Sequence, residues 1–144
     1  MELHRHFSVD DANALLPRVR RAFERARPLH QRMVEVASEM RARGYQPAAS
    51  PGGFVPGEVS AWQHELEELG QQFDQLLRPL VELGIEIKAS DGLVDFRSRY
   101  HGRTVYLCWR WDEEAIGWFH DLDDGFGGRR KIENSKAFEG DMLN

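Results

Sequence analysis

The sequence predicts an α+β fold: a long antiparallel helical hairpin packed on one face of a four-stranded antiparallel β-meander. Three observations lead there. Apolar residues recur in alternating steps of four and three along residues 15–40 and again along 62–83, the spacing of a helical seam. A stretch rich in glycine and proline separates the two. From Ile85 onward the period changes to two, in short β-branched and aromatic runs.

The first helix begins at Val9. Ser8 precedes it as an N-cap, with Asp11 three residues later, and Asp10 and Asp11 favour the positive helix end. Its seam is Leu15, Val19, Ala22, Ala26, Leu29, Met33, Val36 and Met40. Pro17 and Pro28 each remove a backbone donor inside this run, so a kink is expected, or a short first helix that ends near Leu16. The segment "GYQPAASPGGFVPG" holds four glycines and three prolines in fourteen residues and reads as a loop over 44–57. The second helix carries Trp62, Leu66, Leu69, Phe73, Leu76, Leu80 and Leu83 and stops at Gly84. The hairpin thus spans residues 8–84.

Opposite charge balances support the pairing. Residues 18–43 hold eight Arg and three Glu, whereas residues 58–83 hold six acids and one Arg. Arg18, Arg25 and Arg32 fall seven apart along one flank, which faces Glu65, Gln72 and Pro79, so at most one of them gains an acidic partner there.

The meander occupies residues 85–122. If Asp91 with Gly92, His101 with Gly102 and Glu113 with Glu114 are two-residue turns, then Ile87 opposes Phe96, Phe96 opposes Leu107, Leu107 opposes His120, and Trp109 opposes Val94 and Trp118. One face then collects the aliphatic residues, all the strand tryptophans and His120. The other pairs Lys88 with Asp95 and Glu86 with Arg97, and carries Cys108 opposite Asp95. Residues 123–144 form a Gly/Arg turn and a loosely ordered polar tail.

Composition limits function. With 144 residues, 41% hydrophobic and 30% charged, the whole chain 1–144 suits a single domain with one core. No apolar run approaches the roughly 18 residues of a bilayer span, and no secretory signal opens the sequence, so no membrane is expected. Cys108 is the sole cysteine, which excludes an internal disulfide and the cysteine-rich zinc frameworks and suits a cytoplasmic location. A net charge of −5 argues against nucleic acid as a partner.

Chemistry concentrates in "GWFHDLDDGFGGRRKI", residues 117–132. His120, Asp121 and Asp124 are the candidate acid–base or catalytic residues, and His120 with Asp124 the candidate metal pair. Alternation sends His120 and Asp121 to opposite faces and leaves Cys108 away from His120, so no convergent ligand set is expected. No calcium loop or His-Glu-x-x-His helix occurs, and no cofactor is implied. Gly125, Gly127 and Gly128, free to take positive φ, and the donors of Arg129 and Arg130 suit an anion.

The stretches "FSVDDANALLP", "GLVDF", "VYLCWRW" and "GWFHDLDDGFGGRRKI" occur in this order, and with the helical segment between them the chain resembles the domain-of-unknown-function 2203 family over roughly residues 7–132. The resemblance implies a small cytoplasmic bacterial protein and supplies no catalytic residues. The reading is therefore a non-catalytic interaction or anionic-ligand-binding module, a homodimer through its helices, with its Gly/Arg turn toward an anionic small molecule or protein. The alternative is a small metal-dependent enzyme or metal binder that uses His120 and the nearby aspartates.

Overall fold

The computed structural model describes residues 4–47 and 57–141. The loop expected at 44–57 falls largely on residues 48–56, outside the described residues. Helix α1 runs Val9–Ala42 and α2 runs Gly57–Glu82. The start of α1 is a reciprocal capping box: the Asp11 N–H donates to Ser8 Oγ at 3.0 Å, and the Ser8 N–H donates to Asp11 Oδ2 at 3.1 Å. The break expected near Leu16 is absent, because Pro17 and Pro28 turn their rings to solvent while Leu16, Val19 and Ala26 are held in the core. Packing thus outweighs the lost donors.

Along its first half α1 carries two interleaved stripes rather than one. Ala12, Leu16, Val19, Phe23 and Ala26 are buried, whereas Leu15 and Ala22 are only partly covered. This half meets both the sheet and α2, so a wider face is covered than a two-helix seam requires. Farther out the core narrows to Val36, Met40 and Val59, flanked by half-buried Tyr45, Trp62 and Leu66. The hairpin therefore has one end in the main core and another held only by itself.

The sheet has six strands: β1 Glu86–Ala89, β2 Leu93–Tyr100, β3 Arg103–Arg110, β4 Trp118–Asp121, β5 Arg130–Lys131 and β6 Phe138–Glu139. The order is β1-β2-β3-β4-β5, antiparallel throughout, with β6 on the same edge of β2 as β1. Between β2 and β3 the expected register holds, with Phe96 opposite Leu107, Val94 opposite Trp109 and Asp95 opposite Cys108. The connecting His101 and Gly102 both take positive φ, 50° and 80°, which the right-handed twist of a two-residue hairpin demands.

Two registers differ from expectation. Ile87 opposes Val94 instead of Phe96, and Glu86 opposes Asp95. This two-residue displacement keeps Glu86 and Ile87 on their expected faces, whereas a bulge between Ile87 and Ala89 sets Ala89 opposite Leu93; the Arg97–Glu86 ion pair survives diagonally at 2.8 Å. Between β3 and β4 the displacement is one residue: Leu107 opposes Phe119, Cys108 opposes Trp118 and Tyr106 opposes His120. A one-residue slip exchanges the two faces. Phe119 enters the core at 5% exposure, Trp118 is 37% exposed, and His120 leaves the helix side of the sheet.

The cause is Glu113. Instead of forming a two-residue turn with Glu114, it organises the longer connection between Arg110 and Trp118. Its carboxylate accepts the Arg110 N–H at 2.8 Å, and its carbonyl accepts the Trp109 indole N–H at 2.9 Å. Asn13 Oδ1 then accepts the Ile116 N–H at 2.9 Å and ties the connection to α1.

The described part of the tail also packs against the fold, with two short 3₁₀ turns and the strands β5 and β6. Phe138 is buried at 3% exposure in the main core, and Asp141 Oδ2 accepts the His6 N–H at 2.9 Å. Gly140 lies so close to the α1 cap that a Cβ there would stand 2.5 Å from the Ser8 nitrogen and 2.7 Å from Asp11 Oδ2. Among the described residues no helix is long and apolar enough to cross a membrane.

Candidate functional site

The sheet face turned away from the helices was expected to be solvated. Part of it is instead a buried polar cluster. Asp95 from β2, Cys108 from β3 and His120 from β4 are 2%, 1% and 3% exposed, and one donor atom from each lies within 4.8 Å of the others. Adjacent antiparallel strands carry them in two directly opposed pairs, Asp95 with Cys108 and Tyr106 with His120.

Hydrogen bonds fix the imidazole. Its Nδ1 lies 2.9 Å from the Asp121 carbonyl oxygen, and because a carbonyl can only accept, Nδ1 carries the hydrogen. Nε2 then faces the Asp95 carboxylate at 3.2 and 3.3 Å. Whatever lies between those two atoms must be electropositive: a proton held by one of them, or a cation. Burial raises the Asp95 carboxyl above the usual carboxylate range despite the imidazole beside it. Burial, and then the charge of Asp95, push the Cys108 thiol up to about 12. A thiol so buried and so weakly acidic is no free nucleophile.

Residues 122–129 cover the cluster. Leu122, Asp124, Gly125 and Phe126, with Lys88 and Tyr106, help enclose a cavity of about 190 Å³ against Asp95 and His120. The segment is fastened by Arg129, whose Nη2 donates to both oxygens of Glu113 at 2.6 and 2.8 Å and whose guanidinium lies 4.5 Å from the Phe126 ring centre and 5.0 Å from that of Trp118. Beside the cavity, Glu86 accepts from Tyr106 Oη at 2.8 Å, Arg97 Nε at 2.8 Å and Lys88 Nζ at 3.0 Å.

Several expected site residues take other roles. Asp121 does not join His120; its carboxylate pairs with Arg103 at 2.6 Å and Arg130 at 3.3 Å. Asp124 lines the cavity but stands outside the donor cluster. Gly125, Gly127 and Gly128 are not among the positive-φ residues, and the Gly128 N–H is spent on the Gly125 carbonyl at 2.9 Å. Gly128 is required by space: a Cβ there would lie 2.9 Å from Asp124 Cβ. Arg129 is committed to Glu113 and fastens the segment over the cluster. Cys108, expected on the face opposite His120, shares its face, and Asp95 and Cys108 are site members that the sequence reading left out. Their signal was an acid between Val94 and Phe96, set across from a mid-strand cysteine.

A family model described as "Uncharacterized conserved protein (DUF2203)" matches residues 5–132. The chain belongs to this family. The DUF2203 match takes in both helices, the strands through β5, the buried cluster and its cover, and stops before β6. No curated protein and no solved structure matches the chain.

Proposed function

We propose that this DUF2203 protein is an interaction module that self-associates through its helical hairpin. The back of the hairpin carries the reading. There two depressions, about 640 and 280 Å³, share Leu76 as a common wall; Arg18, Ala22, Pro79 and Leu80 line the first, and Arg25, Leu29 and Gln72 the second. The floor is aliphatic, and the rim carries Arg18, Arg21 and Arg25 from α1 and Glu82 from α2.

Charge names the partner. Among the described residues the ion pairs between the two helices are Arg32 with Glu65 at 2.7 Å and Arg43 with Glu58 at 2.7 Å. Arg18, Arg21 and Arg25 take no part in them, and neither do Glu68 and Glu82, which share the back face of α2 with Gln72, Gln75 and Pro79. A second copy related by a two-fold axis lays its acidic α2 over the basic rim of α1 and receives the same in return, a four-helix arrangement that covers both backs.

Sedimentation equilibrium tests it. The expected mass is twice that of the chain, falling to a monomer in Arg18→Glu/Arg25→Glu and returning to a heterodimer when that variant meets Glu68→Arg/Glu82→Arg. A wild-type protein that stays monomeric at high concentration refutes the reading.

A further inference from the structure

We propose that Asp95, Cys108 and His120 are the protein ligands of a divalent transition-metal site of the zinc class, with a fourth position turned toward the adjoining cavity. Three independent features of the geometry converge on it.

The first is the donor set. A carboxylate oxygen, a thiol sulfur and an imidazole nitrogen, one from each of three neighbouring strands, lie within 4.8 Å of one another. A nitrogen–sulfur–oxygen set suits a borderline ion such as Zn²⁺, and the sulfur disfavours Mg²⁺ and Ca²⁺. The second is the orientation of the imidazole. Nδ1–H donates to the Asp121 carbonyl at 2.9 Å, which aims the Nε2 lone pair inward, the outer hydrogen bond by which metal-ligating histidines are commonly fixed. The third is the surrounding space. Asp95 and His120 both border the cavity of about 190 Å³, room for a few water molecules or one small ligand as the fourth donor. Three protein ligands beside an open position is the arrangement that leaves an ion able to bind something else.

The charges balance in the loaded site. A divalent ion neutralises the carboxylate and thiolate together. The proton balance follows: M²⁺ enters, the Cys108 S–H bond breaks, the sulfur–metal bond forms with the same electron pair, and one proton leaves to water. Any proton held between Asp95 and His120 leaves as well. Uptake therefore strengthens as pH rises.

The experiment is a Co²⁺ titration of untagged, chelator-washed protein, followed by Zn²⁺ displacement, with circular dichroism to establish that each variant is folded. The wild type is expected to bind one equivalent, with the intense visible bands of tetrahedral Co²⁺ and a thiolate-to-cobalt charge-transfer band. Cys108→Ser is expected to lose the charge-transfer band, and Asp95→Asn to bind at least tenfold more weakly. The near-isosteric changes keep the test readable. Folded wild type that binds no Co²⁺, or binds it with a spectrum unchanged in Cys108→Ser, overturns the proposal; the latter result assigns the ion to surface histidines such as His4 and His64.

Discussion

Asp95 and His120, 25 residues apart in the chain, meet at 3.2 Å within the outer face of the sheet. Both side chains are 4% exposed, so removal of one leaves the other largely desolvated and without its partner. Replacement of either by Ala is expected to cost about 3 kcal/mol, and the double replacement less than the sum of the two. Chemical denaturation of metal-free protein around a double-mutant cycle measures the coupling.

Glu113 sets the β3–β4 offset, and Arg129 locks the cover to it. The Arg129 side chain is only 8% exposed, so Glu113→Ala leaves a guanidinium without its carboxylate in a nearly dry place. A loss of about 2 kcal/mol is expected. Hydrogen exchange at residues 122–129 is expected to accelerate more than exchange in β2, where the hairpin register does not depend on Glu113.

Gly140 reads as an unremarkable tail glycine, yet its position admits no side chain. Gly140→Ala drives a methyl against the Ser8 nitrogen and the Asp11 carboxylate, the two halves of the α1 cap. The variant is expected to lose at least the worth of a helix cap, about 1 kcal/mol, with β6 lifting from β2. A lower Tm together with new proteolytic cleavage near residue 138 records both effects.

Acid sensitivity follows from Glu86. Burial opposes its charge, but hydrogen bonds from Tyr106, Lys88 and Arg97 outweigh that and hold the carboxyl below its ordinary value of 4.5. A carboxyl lowered on folding contributes stability that is present above 4.5 and lost as pH falls toward and through the folded value. Stability measured against pH is expected to fall less steeply on the acid side in Glu86→Gln than in the wild type, because Gln takes up no proton there.

The helices were legible because local physics decides them: a four-three seam, a Ser–Asp cap and two opposed charge runs survive without knowledge of the partner surface. The flank reading held, with Arg32 alone of the three aligned arginines reaching an acid, Glu65, among the described residues. The β2–β3 hairpin was legible because His101 and Gly102 specify a two-residue turn. Where a turn is shaped by a distant group, local pattern fails. Glu113 answers to Arg129 and Asn13 answers to Ile116, and neither contact is written in strand periodicity. The resulting single-residue slip moved His120 to the face of Cys108 and turned a row read as solvated into the buried site. The tail shows the same limit, since Phe138 gains its burial from β2 and the core rather than from its polar neighbours.

All of the site chemistry rests on that slip, and proton–proton Overhauser contacts across β3 and β4 read it directly. The predicted spectrum places His120 ring protons beside the Tyr106 ring, whose centres are 5.5 Å apart, and the Phe119 ring among core protons. His120 in contact with Leu107 and α1, and Phe119 on the Cys108 face, would contradict it.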